Sequence, residues 1–276
     1  MSFDAREVST DSGQPIRCYM FQFGDGSRAF GFTSTTNGMR LIPIAGAIVF
    51  MPVAIKDDGL RITGDKIAHN FSITAPADIE PAQWFLRSPP SRTVRLVVYD
   101  KHVGDLEFIV SYVGEVTEVS FDNDGQCKFV CGAIGHSMDR EGLRLCWQRT
   151  CTHTIYDANC KLVPAFFARD AVVTSVGAST VQVDGLSAEP TGKFNGGFVQ
   201  FQHPIKGSLY RTVRKSTPTS LEIFEGTSDL FPGTTVKVYP GCDHTPSTCQ
   251  SFGNYTNYGG IPSLPGKSPF DGNPVF

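Results

Sequence analysis

The sequence predicts a mainly β protein built from antiparallel barrel or sandwich modules, and three observations carry that prediction. Short segments of alternating apolar and polar residues recur along most of the chain, the period that sends successive side chains to opposite faces of a sheet. Gly, Asp, Asn and Pro punctuate these segments where tight turns need them. Helix signals are few.

Taken in order, Arg17–Phe23 and Arg28–Thr33 flank Gly24-Asp25-Gly26-Ser27, a hairpin signal because Gly and Asp tolerate positive φ. The apolar run Leu41–Ile55 holds Pro43 and Pro52, and its 15 residues fall short of the roughly 20 that a spanning helix needs, so it reads as a buried strand region. Asp78 to Leu86 reads as a short helix, with Asp78 as its cap and Pro81 near its first turn; the first half is expected to hold one helix at most. Thr93–Tyr99 and Leu106–Val113 are rich in β-branched and aromatic residues, and Glu115–Phe121 and Cys127–Ala133 flank a second turn, Asp122-Asn123-Asp124-Gly125. Polarity rises between residues 135 and 146, which divides the chain into an N-terminal β domain, 1–140, and a C-terminal β domain, 141–276. The first is expected to be an antiparallel sheet or barrel. In the second, period-two stretches return at Ala171–Val176, Thr180–Val183, Gly197–Gln202, Ser208–Val213, Ser220–Phe224 and Thr234–Tyr239. The segment from Ser251 onward shows neither period and is expected to be ordered only by docking on something else.

Composition narrows the function. A net charge of -3 and a pI near 6.1 give no electrostatic case for gripping nucleic-acid phosphates. The first 17 residues carry early acids and no apolar core, so they do not read as a secretory signal, and a cytoplasmic site of synthesis is expected. Gly266-Lys267-Ser268 ends like a phosphate-cradling loop, but position 261, where that motif needs Gly, is Ile. The strained serine-nucleophile motif G-x-S-x-G does not occur. No catalytic constellation stands out, and the chain is read as a non-enzyme.

The informative residues are the eight cysteines, more than packing alone requires and, in a reducing compartment, ill placed for lasting disulfides. Cys18, Cys127 and Cys131 read as buried free thiols; Cys127, Phe129 and Cys131 share one strand face. Two cysteine-bounded loops remain, CTHTIYDANC from Cys151 to Cys160 and CDHTPSTC from Cys242 to Cys249. Structural zinc sites usually place two to four residues between paired ligands, whereas the gaps here are eight and six. An iron–sulfur cage accepts broader loops, so spacing leaves both open and tilts slightly toward the cluster. Cys146 is a further thiol nearby, set aside as a ligand, and His153 and His244 each follow a loop's first Cys by two positions.

Together these residues resemble a known family. Trp147-Gln148-Arg149-Thr150-Cys151 with Ile155 to Cys160, then Gly241 to Thr245 with Cys249, resembles the C-terminal region of tailed-phage and gene-transfer-agent baseplate hub (tail-tip) proteins. Phe252, Asn254, Asn257, Tyr258, Gly260, Pro262, Pro265 and Gly266 match that family's ending. The resemblance is specific over 145–166 and 238–266 and weak over the first 140 residues. It implies an N-terminal tube-like β domain and a C-terminal β domain stapled by a [4Fe-4S] cluster on Cys151, Cys160, Cys242 and Cys249, with zinc as the alternative metal. It further implies a homotrimer at the virion's tail tip, assembled in the bacterial host cytoplasm. Its partners would be distal tail or tube proteins above and central tip or fibre proteins below, with DNA only passing through and no membrane span. A metal-dependent or redox β-rich enzyme, or a zinc-stapled assembly protein, is the competing expectation.

Overall fold

The computed structural model describes residues 3–9, 13–36, 39–41, 48–60, 70–104, 107–133 and 146–265. By Cα proximity the chain divides into two compact units, Met1–Glu141 and Gly142–Phe276.

The first unit opens with a short helix α1 (Phe3–Glu7) and is built on a nine-stranded sheet. Its strands are β1 (Pro15–Phe23), β2 (Ala29–Thr33), β3 (Met39–Leu41), β4 (Ile48–Pro52), β5 (Lys56–Asp57), β6 (Phe71–Pro76), β7 (Val94–His102), β8 (Ile109–Phe121) and β9 (Gln126–Ala133). Their order is β3-β4-β2-β1-β7-β8-β9-β6-β5. Both expected hairpins are present, β1 with β2 and β8 with β9. The sheet is mixed, not purely antiparallel, because β2 and β4 run parallel. That pairing needs a crossover rather than a turn, and β3, which returns antiparallel onto β4, lies within it. Leu41–Ile55 is correspondingly less buried than expected: Phe50 is fully enclosed, but Val49 and Met51 are about half exposed. Leu106 and residues 42–47 of these two segments, and most of the 135–146 boundary, lie outside the described residues.

β1 and β7, at the middle of this sheet, are covered on both faces. On β1, Tyr19, Phe21 and Phe23 face the main core with Trp84, Leu96 and Phe129, while Cys18 and Met20 face a second cluster with Phe50 and Val97. Cys18, Cys127 and Cys131 are fully buried free thiols, as their alternation predicts. The short helix α2 (Glu80–Gln83) forms, but its cap is Ile79 rather than Asp78, with no side-chain cap bond; Pro81 supplies the preset φ. With α1 the described part of this unit has two short helices, one more than expected.

In the second unit every predicted strand appears: β10 (Arg169–Val176), β11 (Thr180–Asp184), β12 (Phe198–His203), β13 (Gly207–Ser216), β14 (Ser220–Ile223) and β15 (Thr235–Tyr239). They close into a barrel in the order β10-β11-β14-β13-β12-β15. Inward alternation fills it, with Val173, Val181, Val199, Phe201, Leu209, Val213, Leu221 and Val236 all buried. Register shifts after Val173 and Val213 bend the strands where closure requires curvature. Among the described residues no helix is long and apolar enough to cross a membrane.

Candidate metal centre

The barrel's closing pair delivers the two cysteine loops to one place. β10 begins after the first loop and β15 ends before the second, and the two strands pair antiparallel with Arg169 opposite Val238. The chain therefore enters β10 and leaves β15 at the same end of the barrel. Gly241, between β15 and Cys242, sits so close to Asn195 that a Cβ would lie 2.1 Å from its carbonyl oxygen. Only glycine lets the second loop leave along that path.

Each loop is wound around its own aspartate. In the first, the Asp157 carboxylate accepts the amides of Thr154, Asn159 and Cys160, at 3.0, 2.9 and 2.5 Å. Its acidity is raised accordingly, the Cys160 amide being the largest cause. In the second, Asp243 accepts the amide and hydroxyl of Thr245 at 2.9 and 2.8 Å. Thr245 then caps α3 (Pro246–Ser251), an element that sequence periodicity missed although its Thr-Pro start was a legible cap and first-turn signal. This helix carries Cys249 into a buried position. Three of the four described non-glycine residues with positive φ belong to these loops or their edges: Tyr156, Lys161 and His244. Backbone held in that region is strain that the surrounding contacts must impose.

Cross-links join the loops without any metal. The Cys151 amide donates to the His244 carbonyl at 2.9 Å, and the Tyr156 hydroxyl donates to the Pro240 carbonyl at 3.0 Å. The period-free segment docks on the first loop, as expected of a segment with no core of its own. Tyr258 donates to the Arg149 carbonyl at 2.8 Å, Arg149 to the Leu264 carbonyl at 2.7 Å, and the Ile261 amide to the Gln148 carbonyl at 2.9 Å. Gly259 lies against the His153 ring, where a Cβ would come within 2.5 Å. His153 Nδ1 meets the Asn257 carbonyl at 3.2 Å, which is a loop-stabilising role. His244 contributes main-chain contacts, and its Nδ1 is buried with no hydrogen-bond partner.

The four sulfurs end up in a shared environment. Burial raises the Cys249 thiol, and Cys151, Cys242 and Cys160 raise it further; Cys242 is raised by burial and then by Asp243, Cys151 and Cys160. N–H donors point at three of them: Gly259 N at Cys151 Sγ (3.3 Å), His244 N at Cys242 Sγ (3.3 Å) and Asn254 Nδ2 at Cys160 Sγ (3.5 Å). Cys249 Sγ instead meets the Asn254 carbonyl at 3.2 Å. Among the described residues no three His, Cys, Asp or Glu side chains converge on a point that one metal ion would occupy. The thiols feel one another but are not drawn into a single-ion grip. Cys146 is exposed, and Gly266-Lys267-Ser268 lies outside the described residues.

A cavity of about 780 Å³ opens elsewhere in the unit, lined by Phe201, His203, Ile205, Asp229, Phe231 and Val236 among others, and none of the loop cysteines reaches it. Its charged members are engaged: Asp229 is held from behind the lining by Lys206 Nζ, 3.0 Å from both its oxygens, and by Arg211 Nη2 at 3.4 Å, and Asp170 pairs with Lys237 at 2.8 Å. His203 Nδ1 accepts the amides of Ile205 and Lys206. This wall reads as structural, and the thiol site as the functional candidate.

The second unit is thus a closed β-barrel whose adjoining strand ends hold four thiols between them. A family model described as "Phage conserved hypothetical protein BR0599" matches residues 192–268, which takes in Cys242, Cys249 and the docked segment but less than half of the chain. A chain in the solved "Virion of native gene transfer agent (GTA) particle" is similar in fold over 100% of this chain and 99% of its own, with a TM-score of 0.79 at 18% identity. No curated protein matches.

Proposed function

We propose that this chain is a structural virion protein of the phage tail tip: a baseplate hub subunit carrying a structural [4Fe-4S] cluster on Cys151, Cys160, Cys242 and Cys249. The observation that carries the reading is the full-length likeness in fold to a chain of a gene-transfer-agent particle. The phage-conserved family model over the second cysteine loop supports it from the sequence side. In this reading the subunit is a homotrimer, joins tube proteins to tip or fibre proteins, lets DNA pass without binding it, and performs no catalysis.

The thiol site suits the cluster on two counts. N–H donors aimed at three of the sulfurs favour thiolates, the ligating form, and are a known lever on cluster electronics. Thiols of both loops also lie near enough to act on one another, as the ligands of one group must. A bound cluster would supply a cross-link between the loops, with no reaction required of it.

Two experiments test the proposal. Anaerobically purified protein should be coloured and contain iron and acid-labile sulfide, lost in Cys151→Ser and Cys249→Ser; a colourless protein with stoichiometric zinc overturns the cluster. Cryo-microscopy of particles should find the chain in a threefold ring at the tail tip, and finding it in the capsid, or in no particle, overturns the hub.

A further inference from the structure

Outside the cysteines themselves, two described residues bond to a cysteine of each loop: His244, through its main chain, to Cys151 and Cys242, and Asn254 to Cys160 and Cys249. Asn254 is 7% exposed and makes six hydrogen bonds, four of them to the loop cysteines and two to Asn257. Its side-chain Nδ2 donates to the Cys160 carbonyl at 2.6 Å and to Cys160 Sγ at 3.5 Å. On the main chain, its amide donates to the Cys249 carbonyl at 3.0 Å and its carbonyl accepts from Cys249 Sγ at 3.2 Å. Cys160 closes the first loop and Cys249 the second, so a single buried residue fastens together two positions 89 apart in sequence.

The carboxamide's orientation is determined by its neighbours. Both atoms that Nδ2 faces at Cys160 are acceptors, and Oδ1 on the other side accepts from Asn257 Nδ2 at 2.7 Å. A flipped amide would set oxygen against the Cys160 carbonyl and nitrogen against nitrogen. Asn257 therefore aims Asn254, and Asn254 aims Cys160.

We propose that Asn254 is a positioning residue of the thiol site, holding Cys160 by its side chain and Cys249 by its main-chain amide so that the two loops present their sulfurs as one set. The inference rests on the reading of these four cysteines as the ligands of one metal group. Outer-shell partners of this kind typically matter by about 10–100-fold in metal affinity. A donor to a cluster sulfur also stabilises the more negative, reduced cluster, so removing it lowers the reduction potential.

Asn254→Asp tests this with almost no change in volume. It keeps the main-chain bond from its amide to the Cys249 carbonyl, removes the Nδ2 donor and places negative charge beside Cys160. Anaerobically prepared N254D should keep the far-UV circular dichroism of the wild type, release its metal to a chelator about 10–100 times faster, and show a lower midpoint potential in an EPR-monitored titration. Asn257→Ala, which leaves the carboxamide unaimed, should shift both readings the same way by less. Unchanged release rate and potential in N254D overturn the proposal. Should N254D fail to fold, N257A alone decides it on the same readings. A wild-type protein that holds zinc and no sulfide refutes the cluster reading, yet leaves the Asn254 proposal to be decided by the release rates. A wild type that holds no metal after reconstitution overturns both.

Discussion

Asp229 is the point at which the barrel unit concentrates charge, and replacing it with Asn gives the sharpest test of how that unit is held together. Its side chain is 4% exposed, those of Lys206 and Arg211 are 2% and 6%, and His203 Nε2 lies 3.9 Å away. Asn keeps the shape but removes the charge, leaving buried cations without the carboxylate they face. Removing one partner of a buried pair typically costs about 3–5 kcal/mol, since the remaining charge stays desolvated. For a unit the size of 142–276, roughly 4 °C of melting temperature corresponds to each kcal/mol, so the transition should fall by about 12–20 °C. Differential scanning calorimetry of the full chain reads this directly. Asp170→Asn is the control: Asp170 pairs with Lys237 at 2.8 Å, but the two side chains are 70% and 53% exposed, and solvent screening should leave the transition in place. A D229N transition within about 4 °C of wild type would refute the reasoning and mean that the adjoining cavity already hydrates the cluster.

Three further outcomes follow from other sites. Asp57 is half-buried, which opposes its ionisation, but hydrogen bonds from Tyr19, Arg17 and the Gly59 amide outweigh this and hold its pKa below the usual value. Its contribution is therefore complete above the unfolded pKa of about 4 and disappears as the pH falls through the lower folded value. The stability gap between wild type and Asp57→Asn, measured by urea denaturation, should be flat near neutrality and shrink in acid; a gap that never narrows contradicts it. Gly241→Ala forces a Cβ into the Asn195 carbonyl and should cost about 1–3 kcal/mol in thermal denaturation. Wild-type melting behaviour would mean that the exit path yields freely. On the proposed metal site, stripping the metal should destabilise the second unit by up to about 4–5 kcal/mol, the chain-entropy estimate for a cross-link closing the segment from Cys160 to Cys242. Identical melting of loaded and stripped protein would show that the hydrogen bonds between the loops already suffice.

The barrel strands were legible because each alternates cleanly: one face packs inside a closed sheet and the other meets solvent, so pattern and environment agree. In the first unit β1 is buried on both faces and its alternation is masked. β6, with the alternating sequence Phe71-Ser72-Ile73-Thr74-Ala75-Pro76, was readable by the same rule yet overlooked. The parallel β2–β4 pairing is non-local and leaves no turn signal. At the site, cysteine spacing identified the two loops but not what brings them together. That depends on β10 lying beside β15, a relation between strands some sixty residues apart, and on Asn254, whose segment shows no periodicity.

The two sheets also differ in what they leave unpaired. A closed barrel has no outer strand, so its backbone donors and acceptors are consumed within the ring. The nine-stranded sheet ends in β3 and β5, strands of three and two residues, each with no strand neighbour on one side among the described residues. Main-chain recruitment of another polypeptide strand is therefore a capacity of the N-terminal sheet, and its terminal strands offer only a short stretch on which to begin. Contacts made by the barrel strands fall to their outward side chains, which set specificity by shape and charge rather than by a backbone ladder that any extended peptide can join.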